Sequence, residues 1–262
     1  MISIKLKDFD FEKTLKSGLF YFFYGTANKR KIIHGRKIIN LSFSQKNNCL
    51  RAAYRGNLLK KEREAVGKRL RFCFGTDEDM GEFYSLCSHD KVLKNFLPRI
   101  RSTRIISAYS DFEALVGAVV SQNNSYAHYR RQMKMLYEKL NFRQKNYLGN
   151  LEKFRLGYKS AYIKNLSAEY GRTAPAKIKG IGPYSLNLFE IFQKRNYRAF
   201  YIDCLTERIM RESYHINSDL DKASIKLWGR WRGLALAYLQ RFFEQKPQNT
   251  NRLQSVQKIL ES

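Results

Sequence analysis

The chemically most informative part of the chain contains two glycines on either side of one isoleucine, Gly180-Ile181-Gly182, followed by Pro183. The glycines allow a sharp turn, the isoleucine can point into a core, and proline suits the first turn of the next helix. Amides at such a turn and at a helix N-terminus point outward together and form a pocket for a phosphate, with Lys179 beside it. An ordinary helix–helix turn is the alternative, because this glycine spacing alone is a weak signal.

A carboxylate follows this turn after a helix and a short connection. Asp203 lies at the start of the helical segment 204–214, and Arg208 lies one turn further along. The carboxylate at such a position accepts hydrogen bonds from the first amides of the helix, so Asp203 is a candidate N-cap. Arg208 is a candidate for contact with phosphates, and pairing with a neighbouring carboxylate is the alternative.

Basic residues dominate the composition. The 262 residues include 49 Lys and Arg but only 23 Asp and Glu, which gives a formal net charge of +26. Residues 1–75 contain 18 basic and 5 acidic residues, so half of the excess lies there. A surface that repels itself this strongly indicates a polyanionic partner, most commonly nucleic acid. A lysine-rich proteome or adaptation to high temperature is the alternative.

Length and composition exclude several classes of protein. With 44% hydrophobic and 14% aromatic residues the chain can bury a core, so it is neither disordered nor a small disulfide scaffold. The four cysteines form no CxxC pair and the four histidines show no ligand spacing, so we expect no metal site and no iron–sulfur cluster. There is no run of 18 apolar residues and no signal-peptide pattern, so we expect an intracellular protein without membrane association.

Short apolar runs separated by glycine, asparagine and basic residues characterise the first 75 residues. Their aromatic and β-branched members predict an antiparallel sheet. The expected strands are residues 2–6, 19–24, 38–43, 49–54 and 70–74, and one helix is expected at residues 10–16.

From Thr76 onwards, apolar residues recur at spacings of three and four, which predicts helices. The pair Ser110-Asp111 is typical of a helix N-cap, and the polar run Ser121-Gln122-Asn123-Asn124-Ser125 ends the helix that it starts. The expected helices are residues 79–98, 111–120, 126–140, 158–170, 183–194, 204–214, 221–243 and 253–260, with a loop at 246–251.

The hairpin glycines, combined with an aspartate further along the chain, resemble the helix–hairpin–helix DNA glycosylase superfamily. Four other segments are similar to its alkylpurine and oxidised-guanine branch, so the resemblance covers nearly the whole chain. FDFEKTLKSGLFYFFYG is similar to the start of the sheet domain, FEALVGAVVSQNNS to a helix and its base-wedging loop, LGYKSAYIKNLS to the helix before the hairpin, and WGRWRGLALAYL to the final core helix.

The resemblance implies that Asp203 is the catalytic carboxylate. Cleavage of an N-glycosidic bond develops positive charge on the sugar, and a fixed carboxylate stabilises that charge and orients or deprotonates a water. The resemblance also implies that Lys179, Gly180, Gly182 and Arg208 lie near the phosphates or support the site. A monovalent cation held by hairpin carbonyl groups is a further implication, and no other cofactor or metal is expected.

Bifunctional members of the superfamily carry a lysine two positions after the second hairpin glycine, where its amine forms a Schiff base with the sugar. This chain has Tyr184 at that position, and a phenol cannot form an imine. The resemblance therefore implies monofunctional base release that leaves an abasic site. Tyr184 is expected to line the base pocket and to stack on a flipped base, and a plain core aromatic is the alternative.

A base must leave the duplex before this chemistry, and a side chain must fill the gap. Asn123 occupies the position of the superfamily's wedge. Asparagine at this position resembles the oxidised-guanine branch more than the alkylpurine branch, where an apolar wedge is usual, so the preferred lesion stays open. A polar loop between two helices is the alternative for Asn123.

Together these observations predict an α+β protein with an N-terminal antiparallel β-sheet domain followed by a two-lobed, all-α helix–hairpin–helix glycosylase domain. The expected domains are residues 1–75, residues 105–204 as the hairpin subdomain, and residues 76–104 with 205–262 as the other helical subdomain. We expect a monomeric, monofunctional DNA glycosylase of base excision repair, whose partner is double-stranded DNA with damaged purines, alkylated or oxidised. Removal of uracil or thymine from mismatches, and DNA binding without catalysis, are the alternatives.

Overall fold

A computed structural model describes residues 1–18 and 28–244 of the chain. Its strands are β1 (Ile2–Lys5), β2 (Lys29–His34), β3 (Lys37–Lys46) and β4 (Cys49–Tyr54). Its helices are α1 (Phe11–Ser17), α2 (Lys60–Phe74), α3 (Gly81–His89), α4 (Leu97–Ile100), α5 (Asp111–Ser121), α6 (Tyr126–Leu140), α7 (Lys159–Glu169), α8 (Pro183–Phe189), α9 (Cys204–Tyr214), α10 (Leu220–Trp228) and α11 (Arg232–Glu244). Short 3₁₀ or π turns cover Leu93–Phe96, Gln144–Tyr147, Glu152–Phe154, Pro175–Lys177, Glu190–Lys194 and Gly229–Trp231. The predicted α+β class is confirmed.

The four strands form one antiparallel sheet in the order β1-β4-β3-β2. Alternate residues of each strand are buried, as Ile2 and Ile4 are in β1, which is the pattern of a sheet with one solvated face. The buried face packs against α2 through Val66, Leu70 and Phe74. The antiparallel sheet predicted for this region is therefore present.

One local expectation in this region was wrong, and one strand was missed. Residues 70–74 do not form a strand but the end of α2, because Val66, Leu70 and Phe74 recur at helical spacing and bury one face of that helix. The edge strand β2 was not predicted, since three of its six residues are Lys or Arg. The strand expected at residues 19–24, the helix at 253–260 and the loop at 246–251 lie outside the described residues.

The helical part is organised around α5. Ser110 caps this helix by accepting a hydrogen bond from the amide of Glu113 at 3.2 Å, and all its residues after Asp111 are buried. The helices α6, α7 and α8 pack around α5, whereas α9 and α10 pack against α11. The single helix expected at residues 221–243 is two helices, because the backbone turns at Gly229, where φ is +51°.

Two buried arginines join the sheet to the helices. The guanidinium of Arg195 donates to carbonyl groups at the C-terminal end of α2 and to Ile105, and it pairs with Glu78 at 2.7 Å. Arg30 on β2 pairs with Glu113 on α5, and both side chains are almost fully buried. A buried charge is tolerated only when it is paired and hydrogen bonded. Arg195 therefore holds the end of α2 against the chain at Ile105, and Arg30 holds β2 against α5.

Side chains of the described residues pack into two clusters. One surrounds the sheet and includes Ile106, and the other runs through the helices from α3 to α11. The division into residues 1–75, 76–104 with 205–262, and 105–204 stays a prediction. Within residues 1–18 and 28–244, no helix is long and apolar enough to cross a membrane, and no group of three or more His, Cys, Asp or Glu is placed to hold a metal ion.

Candidate active site

A cleft of about 990 Å³ opens between the hairpin region and the C-terminal helices. Its walls are the loop between α5 and α6, the start of α8, the start of α9 and the end of α11. The residues singled out from the sequence that line it are Asn123, Gly182, Tyr184, Asp203 and Arg208. Lys179 and Gly180 are not part of the lining, and they lie in the hairpin turn that leads into α8. Residues from four separate parts of the sequence therefore meet in one concave site.

Asp203 is the N-cap residue of α9, and its two carboxylate oxygens have different surroundings. Its Oδ1 accepts hydrogen bonds from the amide of Thr206 at 2.7 Å, from the hydroxyl of Thr206 at 2.8 Å and from Nε2 of Gln240 at 3.0 Å. Its Oδ2 has no hydrogen-bond partner among the described residues. The helix N-terminus also favours the negative charge. One oxygen of Asp203 therefore caps the helix, and the other remains available in the cleft.

Gln240 is a site residue that the sequence did not reveal. Its side chain is buried, its Oε1 accepts a hydrogen bond from the hydroxyl of Tyr201 at 2.6 Å, and its Nε2 donates to Asp203. The ring of Tyr201 meets the ring of Tyr184 edge to face, with centroids 5.3 Å apart. This series of contacts connects the aromatic wall of the cleft with the carboxylate. The one available signal was a polar residue within the otherwise buried, apolar stretch of α11.

The hairpin forms the turn expected from its residues. Gly180 has a φ of +103°, and a Cβ atom on it would lie 2.3 Å from Cγ of Tyr162, so only glycine fits without displacement of the ring. Ile181 is buried and Pro183 begins α8. A Cβ atom on Gly182 would meet no heavy atom within 4 Å. The first glycine therefore shapes the turn, whereas the second leaves open space at the N-terminus of α8.

The loop between α5 and α6 is fastened to this hairpin by Gln122. Its Nε2 donates to the carbonyl of Gly180 and to the hydroxyl of Ser185, both at 2.8 Å. The next residue, Asn123, is exposed, has a φ of +46°, and donates to the hydroxyl of Tyr158 at 3.2 Å. The sequence interpretation missed both Gln122 and Tyr158. The monovalent cation stays a prediction, and the Gly180 carbonyl already accepts the bond from Gln122.

A buried lysine stabilises the end of α5, from which this loop starts. The side chain of Lys159 is buried, and its Nζ donates to the carbonyl of Val120 at 2.9 Å. Burial lowers the pKa of Lys159. A cation at the C-terminal end of α5 compensates the partial negative charge of the last carbonyl groups. Lys159 therefore stabilises the end of α5 but does not line the cleft.

Two arginines contribute positive charge to the cleft. Arg208 is half-buried and has no hydrogen bond or ion pair to any residue in the described ranges, so pairing with a neighbouring carboxylate is not observed there. Arg241 donates to the carbonyl of Ser17 at 3.0 Å, and its guanidinium lies 4.8 Å from the ring centre of Tyr126. Asp203 is the one carboxylate among the described lining residues. The cleft is therefore suited to an anionic backbone.

Comparison with known proteins identifies the fold. No family model matches the sequence, and no curated protein does. A 3-methyladenine DNA glycosylase from Archaeoglobus fulgidus matches with a TM-score of 0.74 and 18% identity over 93% of this chain and 99% of that one. MBOgg1 in complex with a low affinity DNA ligand matches with a TM-score of 0.70 and 18% identity, over 93% of this chain and 95% of that one.

A third match is an 8-oxoguanine glycosylase/lyase from Clostridium acetobutylicum in complex with double-stranded DNA, with a TM-score of 0.67 and 17% identity. It covers 94% of this chain and 98% of that one. The chain therefore has the fold of these DNA glycosylases over nearly its whole length, as the helix–hairpin–helix resemblance predicted.

The two hairpin glycines should respond differently to substitution. Gly180→Ala is expected to lower the free energy of unfolding by about 1–3 kcal/mol. The new Cβ atom would collide with Tyr162, and the alanine would have to adopt an unfavourable positive φ. Gly182→Ala should remain within about 0.5 kcal/mol of the wild type, since its Cβ atom meets open space. Urea unfolding measures both values, and equal stability of the two variants would contradict this account of the turn.

Proposed function

We propose that the chain is a monofunctional DNA glycosylase, which flips a damaged purine out of duplex DNA and hydrolyses its N-glycosidic bond. The observation that carries this proposal is the carboxylate of Asp203, held through one oxygen and available through the other in a cleft of about 990 Å³. That volume lies at the upper end of ordinary ligand pockets, about 300–1,000 Å³. The fold shared with a 3-methyladenine glycosylase and an 8-oxoguanine glycosylase/lyase supports the same reaction class.

Asp203 would act on the sugar rather than on the base. As the bond between the base and C1′ breaks, its electron pair leaves with the base and positive charge develops on the sugar ring. The ionised carboxylate stabilises that charge and takes a proton from the water that attacks C1′. Thr206 and Gln240 hold the carboxylate in place, so it needs little reorientation during the reaction.

Tyr184 would provide an aromatic wall for the extruded base. It is half-buried in the cleft, and its edge-to-face contact with Tyr201 fixes the orientation of the ring. A flipped base stacks on such a face with an offset or edge geometry. The lining residues that the structure describes include no lysine, so this part of the cleft supplies no amine for a Schiff base, which supports base release by water.

The hairpin and the loop that carries Asn123 would hold the duplex. The open face of Gly182 and the side chains of Lys179 and Arg208 suit phosphate groups. Asn123 projects from a loop that Gln122 fastens to the hairpin. We infer that Asn123 enters the gap left by the flipped base.

The charges and the aromatic wall of the cleft both bear on the choice of purine lesion. Arg208 and Arg241 line the cleft, and Asp203 is the one carboxylate among its described lining residues. The π face of Tyr184 attracts an electron-poor, methylated ring, whereas positive charge in the cleft disfavours a cationic base. Neutral oxidised purines and cationic N-methylated purines are therefore both candidate substrates, and release of each from otherwise identical duplexes distinguishes them.

Substitution of the carboxylate tests the proposed chemistry. Asp203→Asn should retain DNA binding but reduce single-turnover base release by about 10²–10⁴-fold, because the amide keeps the oxygen that caps α9 but loses the negative charge. The assay uses duplexes that each contain one defined lesion: an oxidised purine, an N-methylated purine, or a mismatched uracil or thymine. The exposed Asp219→Asn is the matched control and should behave as the wild type. Unchanged excision by Asp203→Asn would exclude the catalytic role.

Borohydride trapping tests the monofunctional mechanism. Incubation of the wild-type protein with borohydride and a lesion-containing duplex is expected to give no covalent protein–DNA adduct, because Tyr184 stands where an amine would be needed. The released base and the intact abasic strand are quantified in the same reactions. A reducible adduct would contradict the mechanism, and its attachment site would identify the amine.

The proposed role of Asn123 predicts a dependence on base pairing. Asn123→Ala should slow base release about tenfold when the lesion is fully paired, because an unfilled gap raises the cost of extrusion. The effect should largely disappear when the lesion lies opposite an abasic site, where little pairing must be broken. Asn57→Ala, which removes an exposed amide outside the cleft, is the control. An equal effect on both duplexes would show that Asn123 does not act as a wedge.

A further inference from the structure

A second concave surface lies outside the cleft, between the sheet and α6. This groove has a volume of about 880 Å³ and is lined by residues of β2, β3, β4 and α6. One carboxylate, Glu138, is present among the described lining residues. The basic residues that line it are Lys29, Arg30, Lys31, Arg55, Arg130 and Lys134. The groove is thus strongly positive.

Internal contacts neutralise only part of this charge. Arg30 is paired with the buried Glu113. Lys134 approaches Glu138 at 3.8 Å, but both side chains are more than half exposed, and such pairs contribute little. The side chains of Lys29 and Arg55 are exposed and have neither an ion pair nor a hydrogen bond within residues 1–18 and 28–244. The groove therefore presents cations that no neighbouring carboxylate of the described residues compensates.

The cleft does not account for this charge. Residues 1–75 contain 18 basic and 5 acidic residues, half of the net excess of the chain. None of the described cleft-lining residues belongs to that part of the sequence. Mutual repulsion of so many cations opposes folding unless a polyanion offsets it. Four of these basic residues, Lys29, Arg30, Lys31 and Arg55, line the groove, which points to a binding role separate from the chemistry.

The helix α6 connects the two surfaces. Its first residue, Tyr126, lines the cleft, and Arg130 and Lys134 line the groove one and two turns later. At 1.5 Å per residue, Lys134 lies about 12 Å along the helix from Tyr126. Duplex DNA carries one negative charge for about every 1.7 Å of its axis. A duplex engaged at the cleft therefore presents several phosphates within the distance that separates the two surfaces.

We propose that this groove binds the sugar–phosphate backbone of the duplex that flanks the base in the cleft. The proposal rests on the proposed function for the identity of its partner. Lys29, Arg55 and Lys134 contact phosphates, which position the duplex and carry no sequence information. The hydroxyl of Tyr137, which also lines the groove, is already bonded to the backbone of Lys31. The groove supplies affinity, and the cleft supplies the chemistry.

The test compares two triple variants that remove the same charge. The groove variant is Lys29→Gln, Arg55→Gln and Lys134→Gln. The control is Lys60→Gln, Lys61→Gln and Lys68→Gln on the exposed side of α2, within residues 1–75, where Lys29 and Arg55 also lie. Affinity for an undamaged duplex of about three helical turns, about 30 base pairs, is measured across a salt series. The slope of log affinity against log salt should become shallower by about 2–3 for the groove variant, and the control should change by less than about 0.5.

A second measurement locates the contact. A duplex with the lesion close to one end extends from the cleft in one direction only, so two such duplexes probe the two sides of the cleft. The groove lies on one side only. The groove variant should bind about tenfold more weakly than the wild type to one of these duplexes and equally well to the other. Restoration of charge by Lys29→Arg and Lys134→Arg, with Arg55 intact, should restore wild-type binding and exclude a folding defect.

Equal salt slopes for the groove and control variants would overturn the proposal. That outcome would leave the glycosylase function untouched, because base release at saturating duplex is measured separately and depends on Asp203. Conversely, Asp203→Asn could release the base as fast as the wild type while the groove variant still has the shallower salt slope. That result would overturn the proposed chemistry and leave a protein that binds DNA through the groove.

Discussion

The hydrogen bonds to Oδ1 of Asp203 are the constraint on which the candidate site depends, because they come from two helices that the sequence separates widely. Thr206 belongs to the same helix as Asp203, but Gln240 lies two turns into α11. That contact requires α11 to approach the chain before Asp203 closely. Gly233 allows this approach, since a Cβ atom on it would lie 2.5 Å from the carbonyl oxygen of Ala199. A small residue at the start of α11 thus allows Gln240, two turns later on the same helix, to reach the carboxylate of Asp203.

On the other side of the cleft, one side chain again connects two elements of the site. Gln122 bonds to the carbonyl of Gly180 and to Ser185, so the loop that carries Asn123 and the helix that carries Tyr184 share one anchor. Any displacement of the loop would strain the hairpin and the start of α8. The wall for the base and the residue expected to fill the duplex gap are therefore held at a fixed separation. Preorganisation of this kind reduces the conformational entropy lost on binding.

Local signals predicted those parts of the structure that local physics determines. The helix α9 begins and ends where its cap and apolar spacing indicated, and Ile181 lies in the core between two glycines with different surroundings. The residues that the sequence did not reveal act at a distance: Gln122 meets a carbonyl 58 positions away, and Gln240 meets Asp203 across 37 positions. No periodicity or capping rule predicts such pairs. The strand β2 was not predicted because its three basic residues interrupt the apolar alternation that indicates a strand. Resemblance to a known fold supplied the common location of Asp203, Tyr184 and Asn123, which spacing alone did not provide.

Under the proposed function, the distribution of charge gives the two surfaces different physical tasks. Contacts with phosphates act on every sequence alike and weaken with salt, so a basic groove holds undamaged DNA and allows the protein to move along it. Discrimination must then arise where a base leaves the helix, because only there do aromatic faces, the carboxylate and the arginines of the cleft meet the chemical difference between a damaged and a normal purine. A glycosylase that relied on the cleft for both tasks would have to bind every normal base tightly in order to stay on the duplex. Separate sites for affinity and chemistry avoid that conflict, which is a physical reason for the chain to place half of its excess charge in residues 1–75, none of which is a described residue of the cleft wall.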